Sequence, residues 1–327
     1  MAGAHPDEAA PRLRLGISSC LLGRQVRYDG GHKRDRFLTD TLGRWTDWVP
    51  VCPEVECGLP TPREAMRLVG DPAAPRLLTI KTGRDITPQM QRWLPGRLAE
   101  LAEEELVGYI FKSGSPSSGM ERIKVYRSSE KGAPAQRVGV GLFARAFMQR
   151  FPLLPVEDEG RLHDPGLREN FIERIFALQR YRRLYAGRRS AGKLVDFHSD
   201  HKLQLMAHSP KLLKAMGQLV ARAKQLPVAD LFAAYEKLLL ECLGVRATVR
   251  RNVNALQHMA GYFKKQLTAD ERAELVEVIE RYRLQQVPLI VPVTLIRHHV
   301  RRFQQPYLGR QTYLAPHPLE LKLRNHA

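Results

Sequence analysis

Cysteine is scarce in this chain: four occur among 327 residues, at positions 20, 52, 57 and 242. Their spacing forms no even framework, which argues against structural disulfides and leaves the thiols free for metal chemistry. Long apolar runs are missing too. The longest, Val287 to Ile296, is interrupted by Pro288 and Pro292, so no membrane span is expected. The first seven residues carry no apolar h-region, so no signal peptide is expected either, and the reading is a cytoplasmic protein. No repeat of fixed period and no low-complexity tract is present. Acidic residues fall short as well, with 34 Asp+Glu against 52 Lys+Arg, a formal net charge of +18.

A chain of this length exceeds one ordinary core and predicts two domains. Its 43% hydrophobic content marks a globular protein. The charge is unevenly placed: residues 1–155 hold 23 Lys+Arg against 17 Asp+Glu, and residues 156–327 hold 29 against 17. Basic residues of the second part cluster at Arg180, Arg182 and Arg183, at Arg188, Arg189 and Lys193, at Arg246, Arg250 and Arg251, at Lys264 and Lys265, and at Arg297, Arg301 and Arg302. Any one cluster alone reads as a solvated face. Taken together, and interleaved with Tyr181, Tyr185, Tyr262, Phe263 and Phe303, they point to nucleic acid, since cations neutralise phosphates while aromatic rings stack on unpaired bases.

The first part alternates strand-like and helical patterns, an α/β signature with a mostly parallel sheet. Apolar runs at Leu13 to Ile17, Trp48 to Val51, Leu77 to Lys81 and Leu106 to Phe111 read as strands, the last as a βαβ return. Between the last two, Thr87 and Pro88 open a helix running to Glu105. Pro152, Pro155 and the acidic Glu157 to Glu159 separate residues 1–155 from an all-α second domain, residues 156–327, beginning with a helix capped at Asp164-Pro165.

Three of these strands lead straight into cysteine or serine loops: Cys20, Cys52, and Lys112-Ser-Gly-Ser-Pro-Ser-Ser-Gly119. In an open α/β sheet, ligands collect outside the carboxyl ends of the strands. Sulfur and oxygen donors arriving there from distant segments suit a soft metal or an iron–sulfur cluster with one open position.

The separated motifs Ser19-Cys20-Leu-Leu-Gly23, Arg27-Tyr-Asp-Gly30, Cys52-Pro-Glu54, Gly58-Leu-Pro-Thr-Pro-Arg63 and the Lys112 to Gly119 loop resemble the thiouracil desulfidase family. Further motifs, among them Asp196-Phe-His198, Gly261-Tyr-Phe-Lys264 and Leu323-Arg-Asn325, look like the helical domain fused to it in bacterial tRNA 4-thiouridine desulfidases. The resemblance implies a 4Fe–4S cluster bound at Cys20, Cys52 and the position of Ser118, with Glu54 as acid–base group and Ser115 orienting or relaying a proton. It further implies replacement of C=S by C=O in tRNA 4-thiouridine, with Arg180, Arg182, Arg183, Arg188, Arg189, Arg250, Arg251, Lys264, Lys265 and Arg301 as candidate RNA contacts. No obligate protein partner is expected.

The family pattern has cysteine where this chain has Ser118, a harder and more basic donor that weakens an iron site. That leaves two functions open: the desulfidase itself, in an inactivated or natural variant form, and a non-catalytic RNA-binding protein with a degenerate desulfidase fold. Blander readings stand beside the site residues. Glu54 could cap the following helix, and Ser115 to Gly119 could be an ordinary turn. Cys57 reads as a packing residue and the nearest substitute thiol, and Cys242 as core. His198, His201 and His208 have zinc-like spacing, but they read better as structural or phosphate-binding groups. His298 and His299, inside a basic run, read as RNA contacts or solvated surface.

Overall fold

The computed structural model describes residues 12–184 and 189–325. They divide into two compact units, one ending at Leu167 and the other beginning at Arg168. The expected boundary after residue 155 lies too early. Val156–Asp158 is a strand, β8, of the first unit's sheet, and its Glu157 ties to Arg161 at 2.6 Å. The acidic stretch read as a separator is therefore part of the sheet.

That sheet is wholly parallel. It comprises β1 (Leu13–Ser18), β2 (Thr46–Val51), β5 (Gly108–Phe111) and β8, in the order β2-β1-β5-β8. All four residues of β5 are buried, as expected of a strand covered on both faces. From β1 the chain moves to β2 on one side, and β5 later enters on the other, so the order reverses at β1. Such a reversal opens a crevice beyond the strand ends.

A second, mixed sheet was not expected. Its order is β4-β3-β6-β7, from β3 (Met66–Val69), β4 (Arg76–Thr79), β6 (Ile123–Tyr126) and β7 (Ala135–Gly139). The strand foreseen at Leu77 belongs here, antiparallel to β3. The helix α2 (Thr87–Glu103) therefore carries the chain from one sheet into the other, which corrects the βαβ reading. Two further helices, α1 (Pro53–Glu56) and α3 (Leu142–Arg150), complete the unit. Its core joins Leu68, Leu77, Met90 and Leu101 to an aromatic cluster of Tyr109, Phe111, Phe143 and Phe147.

The second unit is helical as expected. It holds α4 (Pro165–Arg183), α5 (Ala191–His208), α6 (Pro210–Ala221), α7 (Val228–Gly244), α8 (Val249–Gly261), α9 (Ala269–Arg283), α10 (Ile290–Arg302) and the short α11 (Pro306–Gly309). The foreseen Asp164 cap is present, its carboxylate accepting from the Leu167 N–H at 2.8 Å. Among the described residues no helix is long and apolar enough to cross a membrane.

Candidate active site

Cys20, Cys52 and Ser118 reach one cavity of about 380 Å³ from the ends of three adjacent strands. Cys20 sits in a 3-10 turn, Ser19–Leu22, directly after β1. Cys52 follows β2 and caps α1, with its own N–H donating to Glu56 Oε1 at 2.8 Å. Glu56 thus does the capping that the sequence alone could have assigned to Glu54. This frees Glu54, which lines the cavity with Cys20, Cys52, Ser115 and Ser118.

The third loop is held by the helix that follows it. The Ser117 carbonyl accepts from the Phe143 N–H at 2.9 Å and the Ala144 N–H at 3.2 Å, two otherwise unpaired donors at the start of α3. Gly141 makes this approach possible, because a Cβ there would come within 2.4 Å of the Ser117 carbonyl. Ser115 Oγ then folds back to accept from the Ser118 N–H at 3.1 Å. The turn is ordinary in form. Its attachment to α3 gives it a fixed position.

A chain of hydroxyls ends on the carboxylate. Ser115 Oγ lies 2.9 Å from Ser117 Oγ, and the Ser117 hydroxyl donates to Glu54 Oε1. Glu54 Oε2 accepts from the Cys52 thiol at 3.4 Å and lies 3.8 Å from the Arg63 guanidinium. Arg63 is anchored in turn on the Val26 carbonyl at 3.0 Å. Lys112, also on the cavity wall, pairs with Glu159 just beyond β8 and donates to the Ser113 carbonyl at 2.8 Å.

Burial pushes the Cys20 thiol up to about 11, partly offset by the Lys112 ammonium, and the Cys52 thiol up to about 12, with Glu54 adding to the effect. Both are protonated at neutral pH unless a cation compensates them, and a bound metal does so by drawing off the proton. Neither is in a disulfide.

Sequence reasoning placed Cys20, Cys52, Glu54, Ser115 and Ser118, and the structure brings all five together. It missed Ser117, Arg63 and Lys112. Each lies inside a quoted motif, and the available signal was their position between residues already singled out. Cys57 turns away, its thiol donating to the Glu54 carbonyl at 3.2 Å while it packs on the core. Cys242 is fully buried.

The three histidines of zinc-like spacing make structural contacts: His198 Nδ1 lies 3.1 Å from the Tyr235 hydroxyl, His201 stacks on Phe197, and His208 bridges Glu173 at 3.0 Å and the Val245 carbonyl at 2.7 Å. His298 is exposed, whereas His299 is buried against Phe263 and Phe303. Among the described residues no three or more His, Cys, Asp or Glu side chains are grouped to hold a metal ion.

The candidate RNA contacts are scattered. Arg250, Lys264, Lys265, Arg301 and Arg189 are exposed, and Arg182 and Arg183 half-buried. Arg180 donates to the Pro316 carbonyl at 2.8 Å and Arg251 to the His208 carbonyl at 2.8 Å. Arg188 and Tyr185 lie outside the described residues. Tyr181 and Phe263 are fully buried, so neither can stack on a base.

Comparison with known proteins supplies the family. Residues 15–159 match the family described as 2-thiouracil desulfurase, and residues 202–318 match the one described as Protein of unknown function (DUF1722). The chain is 32% identical over 158 residues to the uncharacterized protein YbgA of Escherichia coli (strain K12), covering 48% of this chain and 94% of YbgA. It is also 32% identical over 111 residues to the uncharacterized protein YbbK of Bacillus subtilis (strain 168), covering 32% of this chain and 71% of YbbK. Among solved structures it is similar to the [4Fe-4S]-dependent thiouracil desulfidase TudS, at 28% identity and a TM-score of 0.38, over 47% of this chain and 95% of that one. The chain thus belongs to the 2-thiouracil desulfurase family, with a DUF1722 domain following the desulfurase domain.

Proposed function

We propose that the chain removes sulfur from 4-thiouridine in tRNA, in the cytoplasm, giving uridine and hydrosulfide, with the first unit doing the chemistry and the second holding the RNA. The observation that carries this reading is the convergence of Cys20, Cys52, Ser118 and the buried Glu54 on one cavity at the sheet's reversal point. Family membership supports a thiolated pyrimidine as the target, and the basic second part supports RNA as its carrier.

The donor set fits a 4Fe–4S cluster at two positions and strains it at the third. Cys20 and Cys52 are soft donors, whereas Ser118 offers a harder oxygen that holds iron less firmly. When bound, such a cluster supplies a Lewis acid for the thiocarbonyl sulfur at an iron that has no protein ligand. The net change is redox-neutral: water and C=S give C=O and hydrogen sulfide. A C–O bond forms at C4, the C–S bond breaks there, and the protons of the water pass to the departing sulfur.

Glu54 is the group placed to take the first of those protons, with Ser117 and Ser115 as the hydroxyl path behind it. Arg63 stands beside the carboxylate and orients it. Lys112 stands on the same wall as Cys20, where positive charge favours both a thiolate and departing hydrosulfide. Val26, Val51, Pro53 and Met66 furnish apolar wall for a pyrimidine ring.

One observation favours a second reading, a non-catalytic RNA-binding protein: the serine at the third donor position. Anaerobic reconstitution of the chain and of Ser118→Cys separates the two. The cysteine variant is expected to hold iron and acid-labile sulfide firmly and to convert 4-thiouridine in tRNA. If neither form gains iron or activity, the desulfidase reading is wrong and the binding reading stands.

A further inference from the structure

The Gly261-Tyr-Phe-Lys264 motif belongs to the second unit and is left unused by the chemistry above. Its residues alternate sharply in environment. Phe263 is fully buried in the core formed with Leu256, Leu275, Val293 and Ile296. That anchor turns its neighbours outward, leaving Tyr262 46% exposed with Lys264 and Lys265 exposed beyond it. The turn is closed by main-chain bonds from the N–H of Tyr262 to the Met259 carbonyl at 3.1 Å and from Phe263 to Ala260 at 3.1 Å. Gln266 and Leu267 both donate back to the Phe263 carbonyl, at 2.9 and 3.0 Å.

A large aromatic ring at the surface ordinarily lies flat on apolar neighbours. Tyr262 instead stacks on Tyr307 of α11, with ring centroids 5.3 Å apart and planes at 19°. Tyr307 takes one face of the ring, and Tyr262 keeps 46% of its surface open to solvent. Neither Lys264 nor Lys265 makes a salt bridge among the described residues. Asp200, the acid whose charge acts on Tyr307, is already engaged, its carboxylate lying 3.0 Å from Arg310. An exposed tyrosine already stacked on a half-buried one, beside two ammonium groups in no ion pair among the described residues, has the composition of a single-stranded nucleic-acid site, where bases stack and cations follow the phosphates.

We infer that Tyr262, backed by Tyr307, is a stacking platform for an unpaired RNA base, with Lys264 and Lys265 on the adjoining phosphates. This rests on the proposal that RNA is the partner of the second unit, and it names the point of grip. It also names the RNA feature required, an unstacked base rather than a continuous duplex.

The test is binding of a tRNA transcript, and of a perfect RNA duplex of equal length, by the full chain across a salt series. Tyr262→Ala is expected to weaken transcript binding about 10-fold, the scale of one lost stacked base, with an unchanged slope of log affinity against log salt. Tyr262→Phe keeps the ring and should stay within about 2-fold of the unaltered chain. Replacing Lys264 and Lys265 by Gln should instead flatten the salt slope by between 1 and 2, from about 0.7 to 0.9 per phosphate contact. Tyr262→Trp should have its fluorescence quenched by the transcript and not by the duplex.

If Tyr262→Ala binds the transcript as tightly as the unaltered chain, or Tyr262→Phe loses as much as Tyr262→Ala, the platform is overturned and the RNA reading survives. If the unaltered chain binds no RNA at low salt, the RNA reading itself fails and takes the platform with it.

Discussion

Both units bury charge, and they do so to opposite ends. In the first, Glu54, Ser118 and two thiols border a space of about 380 Å³, so these buried polar groups line somewhere a ligand can sit. In the second, Arg324 reaches into the helices and lies 2.6 Å from Glu173 and 3.2 Å from Glu169, with His208 on Glu173 at 3.0 Å. The void these groups share is only about 10 Å³, about the space for a single water. Buried charge that closes on itself specifies packing, while buried charge that borders a cavity is available for chemistry.

The largest effect expected from this contrast is on stability. Arg324→Ala leaves Glu173 and Glu169 without their cation, an uncompensated burial that costs about 3–5 kcal/mol. Denaturant unfolding should show the second unit's transition moving to lower midpoint. An unfolding free energy within about 0.5 kcal/mol of the parent would show that the network is not what holds this unit together.

Glu54→Gln probes the other side of the comparison. In the Ser118→Cys background, turnover should fall roughly 10²-fold, the range for a lost acid–base group. Cluster content and tRNA affinity should stay unchanged. Equal loss of cluster and activity would make Glu54 a structural residue and erase the distinction drawn between the units.

Acid should act on the second unit first. Burial, with Arg180 adding, holds His201 down at about 3, and burial with Arg324 holds His317 down at about 4. Because the folded values lie below the ordinary 6.5, their contribution is complete above that pH and is lost as pH falls toward 4, where the unfolded chain takes up protons the folded one refuses. Each histidine should lose on the order of 2 kcal/mol by pH 5. Glu169 offsets part of that loss: burial pushes its carboxyl up to about 7, so it gains stability over the same range. Thermal melts between pH 7 and pH 5 check it, and a helical transition that does not move sinks the assignment.

Ser117→Ala is the finest test. It removes the hydroxyl that donates to Glu54 while leaving the main-chain attachment to α3 in place. One charge-assisted hydrogen bond suggests a loss of about 10-fold in turnover. Unchanged turnover would mean that Arg63 alone orients the carboxylate.

Much of the site could be read along the chain, since strand-to-loop junctions are local. An apolar run followed by Cys20, Cys52 or the Lys112 loop carries its own signal, and so do the Asp164 cap and the Pro88 helix start. The sheet partners were less legible. Leu77 to Thr79 looks like any buried strand, and its pairing with β3 rather than β1 depends on segments far away. Asp158 and Glu157 look like linker until β5 and Arg161 are placed beside them. Tyr262 and Phe263 are adjacent aromatics of equal promise in sequence, and only the packing of α8 to α10 sends one in and the other out.

By itself the sequence determined the residue types at the strand ends, the two-part organisation, the basic excess of the second part and the serine at the third donor position. These are properties of composition and of short-range pattern, carried by the chain before it folds. Tertiary structure alone decided that Glu56 and not Glu54 caps α1, that Ser117 links Ser115 to Glu54, and that Gly141 admits the loop against α3. Each of those depends on a distance between segments remote in sequence, and such distances exist only once the sheet order and the helix packing have been set.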